Sequence, residues 1–334
     1  MKQLTTTGIS HAKLILVGEH AVVYGTPAIA IPLPEITVTV QATTTGSLTT
    51  GATQIMINSV LYHGDLALAP EELANLQALL AAFFDYWPAG SLRPEKISLT
   101  VTSQIPFERG MGSSAAIATA ITRALQKMLP EPYSPQIIAA IIATEEKVQH
   151  GNPSGLDALV VGASQGYYFL KQQQPQPITL TLPGYLLIVD SGQTGRTGVA
   201  IKQVAALRQQ RPLFWQQQID QIQQLVPQVQ QLLTAEEQTT DLTTRQQKFG
   251  QLLDQNQLAL RQLGVSTFDL DQQLAQLKAV GALGAKLTGG GLGGCSFGYF
   301  SNYARAQAAQ QQFQQAGLTT WLTALNSIKE SVHD

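Results

Sequence analysis

Residues 106–116 read Pro106-Phe107-Glu108-Arg109-Gly110-Met111-Gly112-Ser113-Ser114-Ala115-Ala116. Before them, Ile97 to Val101 alternates apolar and hydroxyl residues, the pattern of a half-buried strand. After them, Ile117, Ile121 and Leu125 recur every fourth residue, which predicts a helix from Ser114 to Leu129, closed by Pro130. Glycines at such a strand-to-helix turn let the backbone approach a ligand with no side chain in the way. The unpaired N–H groups of the helix's first turn, with its dipole, make an anion site. Ser113 and Ser114 can cap the helix, hold a phosphate oxygen or reach a metal ion. The same residues also read as a capped helix after a tight turn, and Gly-x-Gly-Ser-Ser alone does not separate the two. The segment is not a P-loop, because no Gly-Lys-Ser/Thr closes it. Nor is it a dinucleotide fingerprint, because the third glycine is missing.

Further along, Gln136 to Gln149 predicts a second helix, with Ile137, Ile138, Ile141 and Ile142 on its inner side. Glu146 extends the row Ile138, Ile142 by four residues, so it shares their face. A carboxylate there needs a cation or metal, unless the helix end is wet. Gly151-Asn152-Pro153 predicts the end of that helix and a turn. Asp157 then sits on a short connection, where a catalytic group or a helix cap are both at home. Near the C-terminus, Lys286-Leu287-Thr288-Gly289-Gly290-Gly291-Leu292-Gly293-Gly294-Cys295 sets glycines between two strand-like runs, Ala285 to Thr288 and Ser296 to Phe300. Backbone there must pack against another segment or a ligand. Cys295 reads as a small buried residue with no activating histidine.

The remaining patterns supply the scaffold. Lys13 to Val17 is an apolar run entering Gly18, and Ile36 to Val40 and Leu186 to Asp190 read as strands. Tyr167 to Leu170 and Ile178 to Leu182 predict a strand pair around Gln172 to Pro177. Residues 203–276 hold 22 glutamines, a composition that can mark disorder. The apolar spacing says helix instead. Ile219, Ile222, Leu225, Val226, Val229, Leu232 and Leu233 step by three and four, with Pro227 a kink site, and Phe249, Leu252, Leu253 and Leu260 start a second stripe. The glutamines are then expected on solvated helix faces. A final helix is expected from Ala304.

At 334 residues the chain predicts two domains, drawn here as 1–183 and 184–334. A 44% hydrophobic content suffices for a sizeable core. The net charge of -2, with 13% charged residues, offers no basic stripe for nucleic acid and no cationic patch for a membrane. One cysteine excludes an intrachain disulfide, and MKQLTTTGIS lacks the apolar run of a secretory leader. No stretch reaches the ~18 apolar residues of a membrane span. These readings predict a cytoplasmic protein; homodimerisation is compatible with them.

Together with Lys13-Leu14-Ile15-Leu16-Val17-Gly18-Glu19-His20-Ala21-Val22-Val23-Tyr24-Gly25, the three segments stand in the order of the motifs of the GHMP kinases, which the chain resembles along nearly its whole length. The Gly-Glu-His-Ala-Val-Val-x-Gly core and the Gly-Asn-Pro-Ser-Gly-x-Asp run look like the branch that phosphorylates mevalonate. The resemblance implies an α+β fold. An N-terminal domain like domain 2 of ribosomal protein S5 would precede a ferredoxin-like domain, with ATP in the cleft between. It implies that Glu108, Arg109, Gly110, Met111, Gly112, Ser113, Ser114 and Ala115 wrap the ATP phosphates. Ser114 and Glu146 would hold Mg²⁺. Asp157 would accept or orient the substrate hydroxyl's proton, with Lys13 beside it. Glu19, His20, Ser154 and Thr197 would lie near mevalonate, and Arg196 is our assignment for its carboxylate. Gly289, Gly290, Gly291 and Gly293 would shape the site. Three departures stand out: Met111 for the usual Leu, Ala158 for the frequent Asn, and Leu292 for the usual Gly. Two rivals remain: a GHMP kinase for phosphomevalonate, homoserine or another acceptor, and a GHMP-fold binding protein without catalysis.

Overall fold

The computed structural model describes residues 3–150, 154–235 and 241–327. The chain divides into two compact units. Met1–Ala12, Pro34–Pro106 and Ser113–Gly162 form the first; Lys13–Leu33, Phe107–Gly112 and Ala163–Asp334 form the second.

The first unit takes the beginning of β1 (Thr5–Val17) and, from Pro34, most of β2 (Ala28–Thr49). It continues through β3 (Gln54–Asn58), β4 (His63–Asp65), α1 (Ala74–Asp85), β5 (Arg93–Ser103), α2 (Ser113–Gln126), α3 (Pro135–His150) and α4 (Leu156–Val160). β2 pairs antiparallel with β5, from Val38 opposite Ser103 to Thr49 opposite Arg93, with a register shift between Thr45 and Leu48. β5 runs parallel to β3, and β3 antiparallel to β4. The alternation read from the sequence sets the faces: Ile36, Val38, Val40, Ala42, Ile97 and Leu99 are buried. α3 packs against α1 and α2. α2 approaches β1 so closely that a Cβ on Gly8 would lie 2.0 Å from the Ala120 carbonyl oxygen. Thr6 Oγ1 donates to the Ala124 carbonyl at 2.7 Å across the same contact.

In the second unit, β6 (Gly166–Phe169) pairs antiparallel with β7 (Gln176–Ile178) and with residues 28–30 of β2; the pairing is as expected, but its second strand lies at 176–178, short of the expected Ile178 to Leu182. There follow β8 (Tyr185–Asp190), α5 (Thr197–Gln210), α6 (Pro212–Thr234), α7 (Leu242–Gln262), α8 (Phe268–Ala279), β9 (Gly284–Leu287), β10 (Cys295–Phe300), α9 (Tyr303–Gln315) and β11 (Thr320–Ala324). The sheet order is β11-β8-β10-β9, antiparallel throughout. Leu187, Val189, Leu277, Phe300 and Phe313 centre its core.

The glutamine-rich stretch is helical, with Pro227 inside α6. Its apolar stripe is buried as spaced except at Leu232, which is half-buried, and most glutamines of α6 face solvent. Gln218, Gln246, Gln257 and Gln273 depart from the expectation of solvated faces, because all four are buried. Their amides answer backbone and hydroxyl groups: Gln246 Nε2 donates to the Pro183 carbonyl at 3.0 Å, and Gln257 Oε1 accepts the Leu287 N–H at 3.0 Å. No described helix is long and apolar enough to cross a membrane.

Candidate active site

In the second unit, the end of β1, residues 107–112, the segment after β8 and the glycine-rich turn after β9 converge. Lys13 is 1% exposed. Its backbone N–H donates to the Met111 carbonyl and its ammonium to the Gly110 carbonyl, both at 3.0 Å. The Thr288 hydroxyl joins β1 to the turn, accepting from the Ile15 N–H at 3.1 Å and donating to the Ile15 carbonyl at 3.3 Å. Gly195 N–H donates to the Glu108 carbonyl at 2.7 Å, Arg196 N–H to Gly291 at 3.3 Å and Cys295 N–H to Arg109 at 3.0 Å. Gly110 has φ 79, and a Cβ there would stand 2.5 Å from the Thr288 carbonyl oxygen. A Cβ on Gly290 would reach the Thr197 hydroxyl at 2.3 Å, and one on Gly293 the Thr194 carbonyl at 2.5 Å. The glycine cluster is therefore required by close backbone approach, one of the alternatives its composition left open.

Among the described residues, four that are not glycine adopt a left-handed backbone, and three lie here: His20 (φ 59), Glu108 (φ 53) and Leu292 (φ 55). Such conformations cost free energy and concentrate where ligands are clamped. At Leu292 a side chain replaces the usual glycine, yet the backbone keeps the left-handed turn, and its N–H donates to the Val265 carbonyl at 2.8 Å.

Glu19 forms an ion pair with Lys286; the two side chains are 1% and 0% exposed. The ammonium also lies 5.3 Å from the Phe297 ring centroid. Burial pushes the Glu19 carboxyl up and the Lys286 ammonium down, and each partner's charge opposes the other's shift. His20 Nε2 lies 3.0 Å from the Gly290 carbonyl, so Nε2 carries the proton. Desolvation pulls the imidazole down to about 4, so it is neutral at pH 7. Arg109 pairs with Asp190 at 2.9 Å and donates from Nη2 to the Gly192 carbonyl at 3.0 Å. Its Nη1 is buried with no acceptor among the described residues, a donor suited to an anion. Burial pushes the Cys295 thiol well up, in keeping with an inert cysteine packed against Met111.

The first unit holds the remaining expected residues. α2 begins at Ser113 with no acidic residue in its first turn, and Ser113 and Ala115 are buried. The Ser114 hydroxyl donates to Glu145 Oε1. Asn75 Nδ2 donates to Ser114 Oγ at 3.1 Å and to Glu145 Oε1 at 2.7 Å. Glu146, which the resemblance sets with Ser114 as a ligand of Mg²⁺, is buried at 5% exposure, and its Oε1 accepts the Ala158 N–H at 3.1 Å. The acid that touches Ser114 is its neighbour Glu145. Glu146 thus ties α3 to the first turn of α4, which carries Asp157. Gly155 (φ 83) precedes that turn, and Ser154 Oγ accepts the Leu156 N–H at 3.2 Å. Gly151, Asn152 and Pro153 lie outside the described residues. Among the described residues no three His, Cys, Asp or Glu side chains gather into a metal cage.

Sequence reasoning passed over Lys286, Glu145 and Asn75. Lys286 carried a usable signal, because a charge inside an apolar strand needs a buried partner. Asn75 carried none, since its role depends on how three helices meet.

The profile of the GHMP kinases N terminal domain matches residues 74–164, and that of the GHMP kinases C terminal matches residues 240–318. The mevalonate kinase of Pyrococcus horikoshii is 31% identical over 299 residues, 86% of each chain. That of Pyrococcus furiosus is 29% identical over 335 residues, 94% of each chain. The crystal structure of L. major mevalonate kinase with R-mevalonate superposes with a TM-score of 0.72 at 22% identity, covering 96% of both chains; this likeness is one of fold.

Proposed function

The chain belongs to the GHMP kinase family, and on that footing we propose that it transfers the γ-phosphoryl group of ATP to the 5-hydroxyl of mevalonate. It is an ATP-dependent phosphotransferase acting on an alcohol. The observation that carries the choice of acceptor is the match, along 86% or more of both lengths, to relatives named mevalonate kinase.

Phosphoryl transfer asks a protein mainly for positioning and charge stabilisation. The loop from Glu108 to Ala115 supplies backbone N–H donors and a helix N-terminus, and Arg109 a spare guanidinium N–H. Asp157 accepts the hydroxyl's proton or orients it, and Lys13 offsets negative charge on the transferring group. His20 offers Nδ1 to the acceptor, while Glu19, locked to Lys286, fixes the turn that presents it. Ser154, Arg196 and Thr197 complete the acceptor side, Arg196 toward the carboxylate. The residues fit Mg²⁺. A hydroxyl and buried carboxylates are the hard oxygen donors this ion takes alongside substrate phosphates, and Asn75 Oδ1, buried with no partner among the described residues, can accept from its waters. Ser114 and Glu146 would hold it, and when bound it would neutralise phosphate charge. A cytoplasmic location goes with this reading.

An assay coupled to ADP release, run with mevalonate, phosphomevalonate, homoserine and galactose, tests the proposal. Turnover with mevalonate alone is expected; faster turnover with another acceptor would reassign the enzyme within its family.

A further inference from the structure

Three helices of the first unit bring Asn75 (α1), Ser114 (α2) and Glu145 (α3) together. A serine hydroxyl has one hydrogen to donate and two lone pairs with which to accept. Here the hydrogen goes to Glu145 Oε1, and one lone pair receives Asn75 Nδ2 at 3.1 Å. A single lone pair remains on the hydroxyl of this half-buried residue. Glu145 Oε1 is held in turn by the same Asn75 Nδ2, at 2.7 Å. Glu145 is 1% exposed and Asn75 8%. Asn75 Oδ1 is buried and accepts nothing among the described residues. A buried acceptor left unsatisfied destabilises the fold. A hydrated cation beside Ser114 would bring water O–H groups to that oxygen.

We infer that Asn75 and Glu145 are positioning residues that orient the Ser114 hydroxyl so that its last lone pair faces a divalent cation. The inference rests on the kinase reading above and extends it to two residues outside the expected metal ligands. The carboxylate keeps the hydroxyl hydrogen away from the cation, and the amide blocks the alternative rotamer. Partners that orient a metal ligand in this way are typically worth 10- to 100-fold in metal affinity.

The test is Mn²⁺ binding, followed by water-proton relaxation, to the purified full chain with a non-hydrolysable ATP analogue. Ser114→Ala checks the underlying reading; Asn75→Leu and Glu145→Gln check the inference. Each of the last two is expected to weaken Mn²⁺ about tenfold or more and to raise the Mg²⁺ concentration needed for half-maximal rate. Asn75→Ser carries the test if Asn75→Leu fails to fold. If Ser114→Ala weakens Mn²⁺ while the other variants bind like the parent chain, the positioning role is overturned, even where their unfolding midpoints drop. If Ser114→Ala itself leaves Mn²⁺ affinity unchanged, the cation is held elsewhere and the underlying reading of the site fails.

Discussion

Asp157 occupies the first turn of α4, held from behind by the bond between Glu146 and the Ala158 N–H. An alcohol is a poor nucleophile at neutral pH, so loss of a positioned carboxylate should cost on the order of 10²-fold in turnover. Asp157→Ala should show that loss with ATP affinity retained, measured by steady-state rates and by calorimetric titration of the nucleotide; near-native turnover would remove the role. His20 gives a pH prediction. Its folded value of about 4 lies below the ordinary 6.5, so between these pH values the unfolded chain binds the proton first. Stability from this residue is complete above pH 6.5 and declines as pH falls toward 4, by at most ~1.4 kcal/mol per pH unit. Denaturant midpoints at pH 7 and pH 5 should therefore fall further for the parent chain than for His20→Gln. At this scale the sequence was legible wherever residue type dictates backbone. The glycines of residues 110–112 and 289–294 announced close approach. The contact of Glu145 with Ser114 was not legible, because it depends on where α2 and α3 meet.

β9 shows what an element can conceal. Its pattern reads as an apolar strand, and all four residues are buried, Lys286 included. Removing one member of a buried pair strands the other charge, at about 3–5 kcal/mol. Lys286→Met should lower the free energy of urea unfolding by that order; a loss below ~1 kcal/mol would mean that Glu19 protonates at little cost. Strands and helices with strong periodicity were readable: β5, α2, α3, α6 and α7 fall where the spacing sets them. β11, after the last expected helix, was not, because Thr320 to Ala324 alternates too weakly to stand out and is a strand through its pairing with β8. Gln246 and Gln257 escaped for a related reason. An amide on a helix reads as solvated until a neighbouring backbone claims it.

For the whole molecule, a ligand that binds only the folded state stabilises it by RT ln(1 + [L]/Kd), about 2.7 kcal/mol at one hundred times Kd. Mg²⁺ with a non-hydrolysable ATP analogue should therefore raise the melting temperature by several degrees, and Mg²⁺ alone by much less; no rise with the complex would argue against a nucleotide site. The α+β architecture was foreseeable from the resemblance to the GHMP kinases. The way segments are shared out was not, because it arises from contacts far apart in sequence. Lys13–Leu33 belongs to the same unit as residues beyond 163. On a ribosome adding ~5–20 residues per second, that early segment waits roughly 15–60 s for the last strand of its unit. During that wait Leu14, Leu16 and Val17, fully enclosed in the finished fold, have no complete core to enter. Translation arrest short of about residue 300 should leave nascent chains that recruit holdase chaperones through this stretch.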